Sequence, residues 1–477
     1  MPDQPSPIAE DSDTADTAVS PDAPASERQA WHILIGLMFP AMLMPMVSTM
    51  SRVALPVIRD GFSLPADVTA WVDAAFSLPF MVLMTVYGRL SDGLDKRRLI
   101  MAGIVIYTAG TALVLSASSL TWLVLGRIVQ GSGAAAMMPL CIALISSLFP
   151  VRKRGRALGT WCTVGPATGF LGPLVAGLLV SAYGWRGAFG PPLAFGFIAL
   201  LAVHRGVPSR PAPIVRRFLR SFDWAGASLL AAWSVGFVFY LSSRSITGAP
   251  PLRDWRLLMT SLLLLSAFIW WERRRKIPFV SLSIFANRMF LRGSFCASLR
   301  MVGMGSIGFL MPLYLVDVYH VGPARLGGLL MISAGTMTLI VRFGGWASDR
   351  WGSRLPVVIG LTVQALAMFT FSRLPSSTST ATVASVLAVN GLGVGLMLAA
   401  LHRAVMRDIS EAQMGSAAGL YSMLRFLGAV VGTAASGVYL QAYLDAGLST
   451  IEAYQSTFLA FATFPFLGIA ASLTLRE

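Results

Sequence analysis

Long apolar runs separated by short polar segments make up most of the chain after residue 30. A helix needs about 20 mostly apolar residues to cross a bilayer, and fourteen runs approach or exceed that length. These predicted spans, numbered 1 to 14, cover residues 33–56, 68–89, 98–118, 121–148, 156–182, 187–204, 222–243, 255–272, 289–316, 325–347, 355–373, 379–402, 414–441 and 454–475. Span 8 is the weakest, because only residues 257–271 run without a charge. Barrel strands have roughly 9–11 residues, so the runs predict an all-α polytopic membrane protein instead.

The basic residues of the polar segments give the predicted spans an orientation. Cytoplasmic loops of membrane proteins are enriched in Lys and Arg. Loops after even-numbered spans hold 23 basic residues, including those in 96–98, 152–156 and 273–276, whereas the remaining loops hold seven. The pattern predicts a multi-pass protein of a bacterial-type inner (plasma) membrane, with both termini in the cytoplasm.

Composition supports a membrane protein over a nucleic-acid-binding one. The chain is 55% apolar and 12% charged, whereas soluble domains average about 25% charged residues. The bases behind its net charge of +15 lie between apolar runs, so the predicted partner is the lipid bilayer and not a nucleic acid. Residues 1–30 are acidic and rich in Pro, Ser, Asp and Ala, which predicts a disordered cytosolic tail.

The residue types and spacings do not indicate catalytic or metal chemistry. A P-loop needs Gly-Lys followed by Ser or Thr, and none of Lys96, Lys153 and Lys276 follows a glycine. The three cysteines lie inside apolar runs and the four histidines lie singly at span ends, which is not a metal-ligand spacing. The sequence therefore predicts neither an enzyme nor a cofactor or metal site, and a gradient or a partner subunit must supply any energy.

Two copies of one loop indicate an internal duplication. The segment after span 2 reads GRLSDGLDKRR (88–98), and the segment after span 10 reads GGWASDRWGSR (344–354). The residues that recur are Gly88 with Gly345 and Asp92 with Asp349, followed by bases that include Arg97 and Arg350. Two copies predict two homologous six-helix bundles. The predicted parts are an acidic tail (1–30), an N-terminal bundle (31–205), a basic linker with two additional spans (206–276) and a C-terminal bundle (277–477).

Spans 4 and 5 carry two further motifs. Span 4 contains LGRIVQGSGAAA and span 5 contains GPATGFLGPLVAGLL. The notable residues are Arg127, Gln130 and Gly131 in span 4, and Gly172, Pro173 and Gly177 in span 5. The small residues and prolines of span 5 predict close helix packing and a bend.

With these motifs in this order, the sequence resembles the major facilitator superfamily, specifically its fourteen-helix drug:proton antiporter group (the EmrB/QacA type). The loop 88–98 is similar to the superfamily's G-x-L-x-D-R-x-G-R-R/K loop, with Asp95 where a second glycine is usual. The resemblance covers about residues 33–475. It implies a major facilitator fold, alternating access and proton-coupled efflux of small amphipathic organic compounds, and some relatives of this type use a periplasmic adaptor.

The duplicated loops are expected to act as gates. Gly88 and Gly345 allow helix backbones to approach, while Asp92 and Asp349 can bond helix N-termini or arginines across the loop. Such a contact would hold the two bundles in one transport state and break in the other. Anchoring at a bilayer surface is the alternative explanation, and it accounts for the bases but not for the repeated Gly and Asp.

Charges inside the spans are the candidate site residues, because burying them in hydrocarbon is costly. Asp73 is the candidate proton carrier, acting against Arg52 or Arg127, although it could instead be a plain ion-pair partner of Arg52. Arg300 and Arg425 lie about ten residues into their spans, or about 15 Å deep, where transporters bind substrate. Arginine pairs well with carboxylate and phosphate, so an anionic or weakly acidic substrate is predicted.

Span 1 departs from the resembled group. That group carries Asp and Asn in a segment similar to L-D-x-T-I-x-N-x-A-L-P, whereas this chain reads MVSTMSRVALP (46–56), with Val47 and Arg52 at those positions. The missing carboxylate leaves open an alternative function, an organic-anion importer or facilitator without proton antiport. A membrane sensor or enzyme is disfavoured by the duplicated loop.

Overall fold

A computed structural model describes residues 27–91, 93–208, 222–242, 248, 253–275, 279–280, 282–409 and 413–475. The regular structure in these ranges is helical. The spans, in order, are Glu27–Gly61, Ala66–Leu90, Lys96–Leu115, Leu120–Ala134 with Met137–Leu148, Val151–Cys162 with Val164–Tyr183, Gly190–Gly206, Trp224–Leu241, Trp255–Arg274, Arg288–Asp317, Pro323–Trp351, Arg354–Phe371, Thr380–Met406, Met414–Asp445 and Thr450–Ser472. The all-α prediction is confirmed.

Thirteen helices in the described ranges are long and apolar enough to cross a membrane. The remaining predicted span, span 8, is also a helix, Trp255–Arg274, but its ends carry Arg256, Glu272 and two further arginines. These charges explain why it was the weakest prediction. The predicted acidic tail falls largely outside the described residues, as do most of the basic linker and Asp92.

One basic segment differs from the prediction. Residues 152–156 were expected in the loop before span 5, but they lie on the helix Val151–Cys162. Pro150 precedes this helix in an extended conformation. At its other end the backbone continues through Thr163 in a helical conformation into the helix Val164–Tyr183. Arg and Lys have long apolar stems that let a helix end keep its charges in water, so a run of bases does not by itself end a helix.

Polar residues between the apolar runs start several helices. Asp95 accepts a hydrogen bond from the Arg97 amide at the start of span 3, at 3.0 Å. Ser449 and Glu452 form a capping box at the start of span 14. Such side chains satisfy amide groups that have no partner inside the helix.

The helices form two halves, spans 1–6 and spans 9–14, whose loops lie at two faces. The terminal face holds the loops near residues 93, 150 and 352 together with both described chain ends. The distal face holds the turns near residues 63, 118, 184, 320, 375 and 447. Span 5 packs against span 10, span 2 against span 13 and span 1 against span 9, so these pairs form the boundary between the halves.

Spans 7 and 8 pack against each other, and span 7 also contacts spans 2 and 13. Trp71 of span 2 meets Phe239 of span 7 edge to face, with ring centroids 5.1 Å apart. The two additional helices therefore cover one side of the boundary between the halves. Buried apolar residues form two clusters, one centred on the N-terminal half and the distal part of span 9, the other on the C-terminal half and span 7.

Candidate functional site

An ion pair joins the two halves at the distal face. Arg59, at the end of span 1, donates two hydrogen bonds to Asp317, at the end of span 9, at 2.6 and 2.7 Å. Tyr454 of span 14 donates to the same carboxylate at 2.6 Å. Both charged side chains are mostly buried, and a bidentate Arg–carboxylate pair is among the stronger polar contacts. We call Arg59, Asp317 and Tyr454 the distal lock.

Close backbone contacts accompany the distal lock. A Cβ added to Gly177 of span 5 would lie 2.6 Å from the Pro323 carbonyl oxygen of span 10, and one added to Gly327 would lie 3.0 Å from the Gly177 Cα. Spans 2 and 13 also meet at the distal face, where the Ala66 amide of span 2 donates a hydrogen bond to Gln441 of span 13 at 2.8 Å. The small residues of span 5, including Pro173, thus let the halves touch at the distal face, as close packing predicts.

Gly172 of the same motif faces span 1 instead. A Cβ on Gly172 would overlap Thr49, so the span 5 motif has two packed sides. One side, at Pro173 and Gly177, contacts the opposite half, and the other holds span 5 against its own half. Close packing is therefore one role of the whole motif.

A cavity of about 530 Å³ lies towards the terminal face, between residues of the two halves. Spans 2, 4 and 13 line it together with residues 279–280. Its walls include Met84, Met138 and Met423, with Arg89 and Ser91 near its terminal end. Methionine side chains adapt to differently shaped apolar partners, so the cavity suits an amphipathic organic molecule.

A buried polar network surrounds Asp73. Arg127 of span 4 is 1% exposed and lies 3.4 Å from the Asp73 carboxylate. The same guanidinium donates to the Val72 carbonyl at 3.0 Å and to Gln130 at 2.8 Å, and its Cζ lies 4.6 Å from the Phe76 ring centroid. Asp73 is thus the least tightly bound of the groups around Arg127, and its side chain remains 15% exposed.

The predicted pairing of Asp73 with Arg52 is wrong. The ion-pair partner of Asp73 is Arg127, whereas the Arg52 guanidinium lies against Gly308 of span 9, 2.7 Å from where a Cβ on that glycine would be. The helix rotation explains the difference, because Ser51 faces Asp73 at 3.5 Å and the next residue points elsewhere. Arg52 therefore contacts the opposite half.

Arg300 and Arg425 come together in the C-terminal half. Arg300 is 1% exposed, and one of its nitrogens lies 3.0 Å from the Met304 sulfur. Arg425 stacks near Tyr421 and Phe426, at 5.7 and 5.2 Å from their centroids, and it repels Arg300 electrostatically. In the part of the chain that the structure describes, the Nε atoms of both arginines are buried without a hydrogen-bond partner, so the pair has unused capacity for an anion.

The second copy of the duplicated loop forms its ion pair inside one half. Asp349 binds Arg403 of span 12, which also donates to the Ser348 carbonyl at 2.8 Å. Gly345 faces Ala399 of span 12, and Arg350 lies 5.9 Å from the Trp346 centroid. The described partner of Asp349 therefore lies in its own half, and the contact across the two halves that the gate prediction requires in one state stays a prediction.

In the first copy, the described residues also contact their own half. Gly88 faces Pro139 of span 4, and Arg97 donates to the His204 carbonyl at 2.5 Å. Asp92 lies outside the described residues. In span 4, a Cβ on Gly131 would overlap the Phe76 carbonyl, so this glycine sets the approach of spans 2 and 4.

Sequence reasoning missed the distal lock. Neither Arg59 nor Asp317 is among the candidate site residues that the sequence predicts. The two residues are 258 positions apart, and their opposite charges at equivalent span ends were the one available signal. The duplication relates span 1 to span 9, but equivalence between two copies does not by itself predict that their ends touch across the boundary.

Neutralising the distal lock should open the distal face. We expect Asp317→Asn to shift the equilibrium towards a distally open state by about tenfold, since hydrogen bonds to charged groups contribute about 1.5–3 kcal/mol. Spin labels at the exposed Gly61 and Ala446, in a background without native cysteines, would report the longer distance. Asp60→Asn is the matched control, because Asp60 is exposed and also binds Arg59. Equal distances in Asp317→Asn and wild type would contradict a locking role.

Comparisons with known proteins agree with this geometry. The sequence profile of the Major Facilitator Superfamily matches residues 37–433. The multidrug resistance protein Stp of Mycobacterium tuberculosis (strain CDC 1551 / Oshkosh) is 29% identical over 412 residues, which cover 83% of this chain and 73% of that protein. The riboflavin transporter RibZ of Clostridioides difficile (strain 630) is 24% identical over 407 residues, covering 85% and 87%.

A solved structure has the same fold. A bacterial homologue of the human lysosomal transporter Spinster, in an inward-facing and occupied conformation, matches with a TM-score of 0.65 and 15% identity, over 94% of this chain and 97% of that one. At this identity the likeness concerns the fold alone.

Proposed function

This chain belongs to the major facilitator superfamily, and we propose that this multi-pass secondary transporter exports small amphipathic organic compounds in exchange for protons. The observation that carries the proposal is the uneven closure between its halves. The distal face is held by the distal lock and by glycine contacts, while a cavity of about 530 Å³ lies towards the terminal face. Alternating access requires two halves that close at one face while a site is open to the other.

Membership of the fourteen-helix EmrB/QacA type is part of the proposal. The 6+2+6 order of the described helices and the motifs at Gly88, Gln130 and Gly172 support it. Relatives named as multidrug resistance proteins, such as Stp at 29% identity, agree with an export role. The chain is then an inner-membrane protein with cytoplasmic termini, because its terminal face carries most of the loop bases. The proposal includes a periplasmic adaptor as a partner.

We propose that Asp73 carries the coupled proton. Its 3.4 Å contact with Arg127 is longer than a strong charge-assisted hydrogen bond of about 2.7–2.9 Å. Arg127 keeps its bonds to Val72 and Gln130 when the carboxylate takes up a proton. Protonation would therefore release Asp73 while the buried guanidinium keeps two neutral hydrogen-bond acceptors.

The arginine pair supports an anionic or weakly acidic substrate. Arg300 and Arg425 lie near the middle of spans 9 and 13, and their buried Nε atoms are unpartnered. An organic acid would offset the repulsion between them and fill these donors.

Neutralising one of these arginines should weaken transport of acids selectively. We expect Arg425→Gln to raise the KM for a lipophilic organic acid about tenfold, because roughly one charge-assisted hydrogen bond is lost. The KM for a lipophilic cation should be unchanged. Vesicle uptake with each compound measures this. Arg342→Gln is the control, since Arg342 is exposed in span 10. Equal effects on the acid and the cation would contradict a substrate role for Arg425.

An organic-anion importer or facilitator without proton antiport is the second candidate. Arg52 stands where the resembled group has Asn, and its guanidinium lies against Gly308 of the opposite half. A cation at the boundary of the halves would attract an anion from either side of the membrane. Substrate movement without proton movement would favour this candidate over the exporter.

A further inference from the structure

A pair of buried carboxylates lies at the terminal end of the two additional helices. Asp223 precedes span 7 and is 7% exposed, and Glu272 lies in the last turn of span 8 and is 3% exposed. One oxygen of each, Asp223 Oδ2 and Glu272 Oε1, has no hydrogen-bond partner among the described residues. Carboxylates are rarely buried unless their oxygens are satisfied, so two unsatisfied oxygens in one place need a physical explanation.

Both unsatisfied oxygens face the same small space. A Cβ on Gly226 would lie 2.6 Å from Asp223 Oδ2 and also 2.6 Å from Glu272 Oε1. Glycine leaves that space free, so the two oxygens converge above its backbone. Two carboxylates that share a site do not both ionise readily, because like charges at short range repel each other.

The other two oxygens are well bound. Asp223 Oδ1 accepts hydrogen bonds from the Gly226 amide at 3.1 Å and from the Trp271 indole at 2.9 Å, and Arg275 lies 3.8 Å from it. Glu272 Oε2 accepts a hydrogen bond from the Val280 amide at 3.2 Å. The charged groups facing the pair are therefore Arg275 from the end of span 8 and Arg89 of span 2, which attracts Glu272.

We propose that Asp223 and Glu272 form a proton-binding site, in which one proton is held between Asp223 Oδ2 and Glu272 Oε1. Two oxygens suffice for a proton, whereas Mg²⁺ and Ca²⁺ take about six or more ligands. Each carboxyl keeps its bound oxygen in place, so the shared proton completes the hydrogen bonding of both side chains. The proton enters from water at the terminal face and leaves by the same route.

The segment 279–280 connects the proton-binding site to the cavity. The Val280 amide is bound by Glu272, and Phe279 and Val280 line the cavity opposite Met84 and Gly88. Loss of the proton makes the two carboxylates repel and loosens the hold of Glu272 on this segment. The site is thus placed to adjust the cavity wall to the pH at the terminal face, and only this last role rests on the proposed transport function.

Infrared difference spectroscopy of the purified full-length protein, titrated with acid, tests the site directly. Wild type should show the absorption of a protonated carboxyl that titrates, and Glu272→Gln and Asp223→Asn should each lose it. Glu272→Gln preserves the fold, because its amide N–H can donate to Asp223 Oδ2 in place of the proton. Asp254→Asn is the matched control, since Asp254 starts span 8 as Asp223 starts span 7, and it should retain the absorption.

A spectrum that is unchanged in Glu272→Gln, or an absorption that is lost in Asp254→Asn, would overturn the proposal. Thermal melts of all four proteins separate loss of the site from loss of the fold. Substrate-driven proton flux tests the transport proposal separately. If substrate drives proton flux but the carboxyl absorption is missing, the shared proton is refuted and proton-coupled export is not. If the absorption is present but substrate drives no proton flux, proton-coupled export is refuted and the shared proton is not.

Discussion

Replacing Gly327 with valine should reduce transport to a small fraction of the wild-type rate. A Cβ at this position would overlap the Pro173 carbonyl and lie 3.0 Å from the Gly177 Cα, so the distal face could no longer close. Forcing extra atoms into a packed contact costs about 1–3 kcal/mol or more, which lowers the population of the closed state by about tenfold or more. We expect the substitution to destabilise the distally closed state, because the contact is present in it.

Gly328→Val is the matched control for this substitution. Gly328 is the next residue of span 10, and a Cβ on it would meet nothing within 4 Å. Both variants lose the same helical glycine flexibility, so a difference between them reports the contact with span 5. Uptake by proteoliposomes, together with spin-label distances across the distal face, would measure the effect. Equal transport by the two variants would show that close approach of spans 5 and 10 is not required.

Asp73→Asn should abolish substrate-evoked proton flux, to the level of vesicles without protein. The asparagine can still accept a hydrogen bond from Arg127, so helix packing is retained, but it cannot exchange a proton. We expect substrate binding to persist, because Arg300 and Arg425 are in the other half. Asp67→Asn is the control, since Asp67 is a buried carboxylate near the start of the same helix. Proton flux that survives in Asp73→Asn would place the proton carrier elsewhere.

The helical architecture could be predicted because membrane helices follow directly from apolar length. Each apolar run became a helix, since backbone groups in lipid must bond internally. The ends were less predictable. Span 1 extends to Glu27 and Gly61, well beyond its apolar run, and the bases near Arg154 lie on a helix instead of in a loop. Helix capping and the snorkelling of long basic side chains determine where these helices end, and a hydropathy profile contains neither effect.

The candidate site was only partly predictable, because contacts between spans depend on helix rotation. The depth of charged residues within the spans predicts Asp73, Arg127, Arg300 and Arg425 as site residues. In the structure Asp73 lies with Arg127 in one half, and Arg300 lies with Arg425 in the other. Depth alone could not distinguish Arg52 from Arg127 as the partner of Asp73. The Asp223–Glu272 pair was hidden for another reason, because only the packing of spans 7 and 8 brings these two residues together.

The most direct test of the central claim is proton movement in proteoliposomes under an imposed pH gradient. Wild-type protein would be challenged first with a lipophilic organic acid and then with a lipophilic cation. Proton-coupled export predicts that the acid evokes proton movement through the wild-type protein but not through Asp73→Asn. The cation should evoke less proton movement through the wild-type protein than the acid does. Substrate movement without proton movement would contradict the account and favour a facilitator of organic anions.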